Sequence, residues 1–99
     1  MEKIEILPLV EQKELENLVL EYFNERKLIK DLHYKQVVPH VYENVRLRTR
    51  EGISGLGDIS IVKDKIVFSP TVGQKCKEDC QAIVEDFLDY LVERNIEII

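Results

Sequence analysis

Three arginines at alternate positions, Arg46, Arg48 and Arg50, are the residues whose type and spacing point most directly to chemistry. A strand places every second side chain on one face, so a strand persisting to Arg50 projects three guanidiniums together. Such a row repels itself unless something anionic lies between its members. Phosphate fits, because the guanidinium is a planar fork of donors matched to phosphate oxygens. On the same alternation Tyr42 shares that face and offers a ring to a base or sugar, while Lys35, with Lys27, Lys30 and His33, extends the cationic region. The expected ligand of this face is nucleic acid or another polyanion. The competing reading is that the arginines pair with carboxylates on neighbouring strands or on another subunit, where exposed ion pairs contribute about 0–1 kcal/mol.

A second candidate is the glycine-rich run Gly52, Ser54, Gly55 and Gly57. Glycine admits the positive φ angles that turn successive backbone N–H groups into an anion-binding nest, and Ser54 adds a hydroxyl. The run matches neither G-x-x-x-x-G-K-[ST] nor G-x-G-x-x-G, so a connection between strands is the simpler expectation. Ile53 and Leu56 are apolar for a loop, and either tuck onto the core or meet a partner.

Cys76 and Cys80 are one helical turn apart. With His33 and His40 they make up a formal zinc set, but structural zinc sites arise from C-x2-C knuckles on turns. Both thiols fall on an apolar stripe, which points to core packing; a reactive thiol near a helix N-terminus, helped by Lys75 or Lys77, is the alternative. Neither histidine neighbours a serine or cysteine in a nucleophile motif. Asp58 is a single carboxylate, and Glu85, Asp86, Asp89 and Glu93 read as a solvated helix face. No catalytic residue, metal site or cofactor motif is expected.

The elements that must position these residues follow from periodicity. Ile4 and Ile6 alternate with charged residues before Pro8, which suggests a short edge strand. Leu15, Leu18, Val19, Tyr22, Phe23 and Ile29 recur at helical spacing, with acidic residues early and basic ones late. Residues 31–40 have no clean period and contain Pro39, so they read as a connection that begins a strand early. Residues 41–50 alternate as a half-buried strand, with Glu43 the odd member on the apolar side. Ile59, Ile61, Ile66 and Phe68 around the segment 63–65 form a tight hairpin. The strongest periodic signal is Cys76, Cys80, Ile83, Val84, Phe87, Leu88 and Leu91, a second helix. The tail 96–99 is β-favouring and could add a last strand.

Two amphipathic helices each need an apolar surface to cover, and an antiparallel sheet with one apolar face provides it. The expected fold is therefore α+β, a two-layer sandwich of order β-α-β-β-β-α-(β). In element order alone it is close to a ferredoxin-like βαββαβ unit with an additional strand.

The composition is compatible with that fold. The chain has 99 residues, enough for one domain spanning 1–99, with 44% hydrophobic and 33% charged residues. The abundance of Lys, Glu and Ile leans toward a heat-adapted source. No apolar run is long enough to span a bilayer, and the charged start does not resemble a signal peptide. Two cysteines are too few for a disulfide framework, so a reducing, cytoplasmic setting is expected. The net charge of −5 argues against a general nucleic-acid coating protein. It conceals an uneven distribution, since residues 26–50 alone carry +5. That split, the edge strands and the apolar tail lead to the principal expectation, a non-catalytic interaction module that self-associates as a dimer. Polyanion binding through Arg46, Arg48 and Arg50 is the alternative; a small hydrolase or redox protein is the third.

Overall fold

The computed structural model describes residues 3–30, 32–49, 52–70 and 74–99; the side chains of 27–30, 47–49, 52–54 and 74–76 lie outside that description. Among the described residues the order is β1 (Ile4–Ile6), α1 (Gln12–Lys30), β2 (Leu32–Val38), β3 (Val41–Thr49), β4 (Gly52–Val62), β5 (Lys65–Pro70) and α2 (Gln74–Glu93). The strands form one antiparallel sheet in the order β1-β5-β4-β3-β2. Strands β2 to β5 are a meander, and β1 adds at its far edge. The expected α+β sandwich is therefore present, with four strands between the helices.

Helix α1 must carry the chain from one edge of the sheet to the other. Its 19 residues reach about 28 Å, more than the roughly 19 Å between the edges of five strands. Its apolar positions Leu15, Leu18, Val19, Tyr22 and Phe23 are buried, and so are Cys80, Ile83, Val84, Phe87 and Leu91 of α2. Both stripes meet Ile6, Leu32, Tyr42, Val45, Leu56, Ile59, Ile66 and Phe68 in one apolar cluster. Phe87 lies edge-on to Tyr22 at 4.9 Å and to Phe68 at 5.9 Å, tying both helices and β5 together.

Helix α2 ends in a Schellman motif. The Ile96 amide donates to the Leu91 carbonyl and the Asn95 amide to that of Val92, both at 3.0 Å, with Asn95 at φ 59°. This turn sends the tail back toward the N-terminal segment. There Ile98 makes a single antiparallel bridge to Pro8, and the Leu9 amide donates to the Glu97 carbonyl at 2.8 Å. The β-favouring tail thus contributes a bridge rather than a strand.

Three local expectations are corrected. Residues 32–38, expected mainly as a connection, are strand β2. They lacked a period because β2 is an edge strand in which only Leu32 is buried. The glycine-rich run is the first part of β4, where Gly52 faces Thr49, Ser54 faces Leu47, Gly55 faces Arg46 and Gly57 faces Val45. It is not a loop. Tyr42 does not share a face with Arg46; it is fully buried in the core, while Arg46 is exposed.

Paired bulges explain the last two points. Tyr42 faces Ile59 and Val45 faces Gly57, so β3 holds one residue more than β4 across that interval. Asn44 sits in the extra turn at φ 55°, its amide directed at Asp58 Oδ1, 3.3 Å away. One step on, Val45 faces Gly57 but Arg46 faces Gly55, so Leu56 is the extra residue in β4. The bulges return Tyr42 with Val45, and Leu56 with Ile59, to the core side. Gly57, at φ 131°, makes the second bulge passable, because a Cβ disfavours that angle.

Candidate functional site

The face of the sheet opposite the helices is the candidate surface. Strand alternation sends Ile4, Ile6, Ile59, Ile66 and Phe68 into the core, so the intervening Glu5, Ser60, Lys65 and Val67 belong to the other side. Cross-strand pairing assembles them into a row across the sheet: Val38 faces Val41, Val41 faces Ser60, Ser60 faces Val67 and Val67 faces Glu5. Val38 and neighbouring Val62 are each 50% exposed, whereas Val67 is only 5% exposed beneath its neighbours. A shallow depression of ≈300 Å³ lies here, walled by Lys3, Glu5, Val62, Lys63 and Lys65. Across it Lys65 Nζ stands 3.4 Å from Glu5 Oε2.

Toward the other end of the same face, Arg46 is exposed directly opposite His33 of β2. Lys35 is also exposed and faces Glu43. Of the proposed cationic group, then, Arg46, Lys35 and His33 come together, while Tyr42 is removed to the core. Arg48 faces Ile53 in the strand, but its side chain lies outside the described residues, as do those of Lys27 and Lys30; Arg50 lies wholly outside them.

A polar cluster that the sequence did not suggest joins α1 to the β2–β3 hairpin. Glu16 Oε2 lies 2.6 Å from His40 Nδ1, and Glu16 Oε1 accepts from the Tyr42 hydroxyl at 2.8 Å and from Gln36 Nε2 at 3.1 Å. Burial, reinforced by the bond to the Glu16 carboxylate, raises the Tyr42 pKa strongly, so this phenol stays a donor. Pro39 and His40 form the turn, with His40 at φ 69°, where glycine is the usual occupant. A carboxylate-oriented imidazole is the base half of a nucleophilic triad. Among the described residues, no hydroxyl or thiol is bonded to His40. The cluster therefore reads as a clasp that offsets the strained turn and fixes the hairpin to α1. The spacing from 16 to 40 carries no local signal; only the Pro-His pair marks the turn.

A second clasp joins the helices. Arg26, 8% exposed, donates through Nε to Asp86 Oδ2 at 2.9 Å, and the same oxygen accepts from the Tyr22 hydroxyl at 2.8 Å. The guanidinium lies 5.7 Å from the Tyr22 ring centre and 5.6 Å from that of Tyr90. Burial works to lower the Arg26 pKa, but Asp86 and Glu93 outweigh it and the net direction is upward. The Tyr90 hydroxyl is buried with no hydrogen-bond partner among the described residues. Asp86, read from the sequence as part of a solvated face, is thus the anchor of an interhelix network.

Cys80 is wholly buried, and burial pushes its thiol up to about 11 from an ordinary 9.0. Two pKa units leave about 100-fold less thiolate near neutral pH. In a Cys76→Ser variant, labelling of Cys80 by a disulfide reagent is expected to be at least about 100-fold slower in the native than in the unfolded chain. Equal rates would contradict its placement. Cys76 lies outside the described side chains, and among the described residues no three of His, Cys, Asp and Glu gather as a metal site. No helix among them is long and apolar enough to cross a membrane. Compared with protein-family models, with curated proteins and with solved structures, the chain matches none, so its functional reading rests on its own residues.

Proposed function

We propose that the protein is a non-catalytic interaction module that associates with a second copy of itself. The observation supporting this reading is the uncovered sheet face: both helices serve one side, and the other carries Val38, Val41 and Val67 in a row with Ser60 and Glu5. Edge-to-edge pairing is less favourable. Strand β2 is interrupted by two register shifts and carries Lys35 at its middle, and β1 has three residues followed closely by Pro8; both are devices that blunt sheet edges. That leaves the open face, where the valines lie among Glu5, Asp58 and Lys65, as the surface for a partner. Sedimentation equilibrium in moderate salt, up to about 1 mM chain, is expected to show the average mass rising toward twice that of one chain. A constant monomer mass across the series would refute the proposal.

A second reading is supported by Arg46, exposed opposite His33 on the same face with Lys35 nearby. It takes this end of the sheet as a polyanion site. Binding to single- or double-stranded nucleic acid at low salt would then weaken in Arg46→Ala, with the salt slope reduced by about one. Absence of any mobility shift with DNA or RNA at low salt removes this reading.

A further inference from the structure

Resting on the self-association proposed above, we infer that the second copy lies face to face on the open sheet, across a two-fold axis running along the row Val38, Val41, Ser60, Val67, Glu5. Charge placement carries the argument. On one side of this row β4 and β5 present the pair Val62 and Lys65; on the other they present Asp58 and Ser69. The row runs across the strands, so a two-fold rotation about it reverses strand direction in the opposing sheet. Lys65 of one copy then lies over Ser69 of the other, beside Asp58, and the contact occurs twice. Val41, Ser60 and Val67 meet their own counterparts along the axis. They are small enough for two sheets to approach to the usual spacing of about 10 Å, and Glu5, which meets its counterpart at the edge of the sheet, keeps Lys65 of its own chain 3.4 Å away.

The opposite choice, an axis along the strands midway between β4 and β5, brings the two Lys65 side chains to one level of the interface and the two Asp58 side chains to another, each beside its like. Like charges disfavour it. Five strands at about 4.8 Å and five residues at about 3.3 Å give roughly 400 Å² per copy. The total of roughly 800 Å² falls in the weak, transient class. The dimer is therefore concentration-dependent, and because each chain carries −5, it requires enough salt to screen the overall repulsion.

The test compares sedimentation of the full chain with Lys65→Glu, Val62→Glu and the double variant Asp58→Lys with Lys65→Glu. Each single substitution places an acid against Asp58 of the second copy and is expected to weaken association at least about 10-fold, whereas the charge-swapped double variant recovers it. Asp58 also faces the Asn44 amide, so a variant that leaves the bulge intact supplies an independent check. In a Cys76→Ser background, Ser60→Cys should be joined to its counterpart by a short bismaleimide, and Cys80 alone should not. If the native chain dimerises while Lys65→Glu and Val62→Glu dimerise equally well and Ser60→Cys fails to cross-link, the arrangement is overturned and self-association stands. A native chain that stays monomeric removes the underlying reading itself.

Discussion

Asp86→Ala should lower the unfolding free energy by about 2–4 kcal/mol, somewhat less than when one member of a fully buried ion pair is removed, because the Asp86 side chain keeps 19% of its surface exposed. Arg26 is 8% exposed and Asp86 Oδ2 accepts both from its Nε and from the Tyr22 hydroxyl. Alanine leaves a guanidinium and a phenol buried together without their shared acceptor. Glu93, at 3.8 Å from the guanidinium, is a long, exposed contact that replaces little of this. For a domain of this size the total stability is about 5–15 kcal/mol, so the loss is a large fraction of the whole. Asp86→Asn keeps an acceptor and should cost clearly less. The double variant Arg26→Met with Asp86→Leu should recover most of the loss, because a buried pair replaced by apolar groups is often neutral. Urea denaturation checks all three. A loss below about 1 kcal/mol for Asp86→Ala would mean that the helices are not held as described.

Gly57→Ala is expected to cost about 2–4 kcal/mol, and Gly55→Ala to be close to neutral. The two positions are separated by one residue in the same strand, so composition and propensity predict similar effects. Their backbones differ. Gly57 is buried at φ 131° between Val45 and Pro70, and a methyl group there adds conformational strain of about 1–3 kcal/mol to the crowding of a filled site. Gly55 is half-buried opposite Arg46 and has no positive φ, so alanine can reduce the freedom of the unfolded chain and gain up to about 1 kcal/mol. Thermal unfolding of the two variants separates a glycine required by a bulge from one that is not. Equal midpoints would count against the bulge.

The same bulge explains why the candidate surface was only half legible. Reading residues 41–50 as a strict alternation puts Tyr42 beside Arg46, and that inference is sound for an unbroken strand. One inserted residue at Asn44 reverses the parity upstream, so Tyr42 enters the core and bonds Glu16 instead of offering a ring to a ligand. Arg46, Lys35 and His33 remain on or beside the open face, and the valine row at its other end was not anticipated.

What the sequence determined by itself was each element with one buried side and one wet side. The stripe from Cys80 to Leu91, the stripe from Leu15 to Phe23 and the hairpin turning at Lys63 and Asp64 all leave a period, because selection of apolar residues follows which side meets the core. Tertiary structure decided the rest. Strand β2 is exposed on both sides beyond Leu32, so nothing imposed a period on it. Gly57 of β4 serves a bulge that exists only against β3, and Asp86 and Glu16 became anchors through residues more than 20 positions away. Local patterns record one-sided burial. Strand parity and buried polar pairs arise only when distant segments meet.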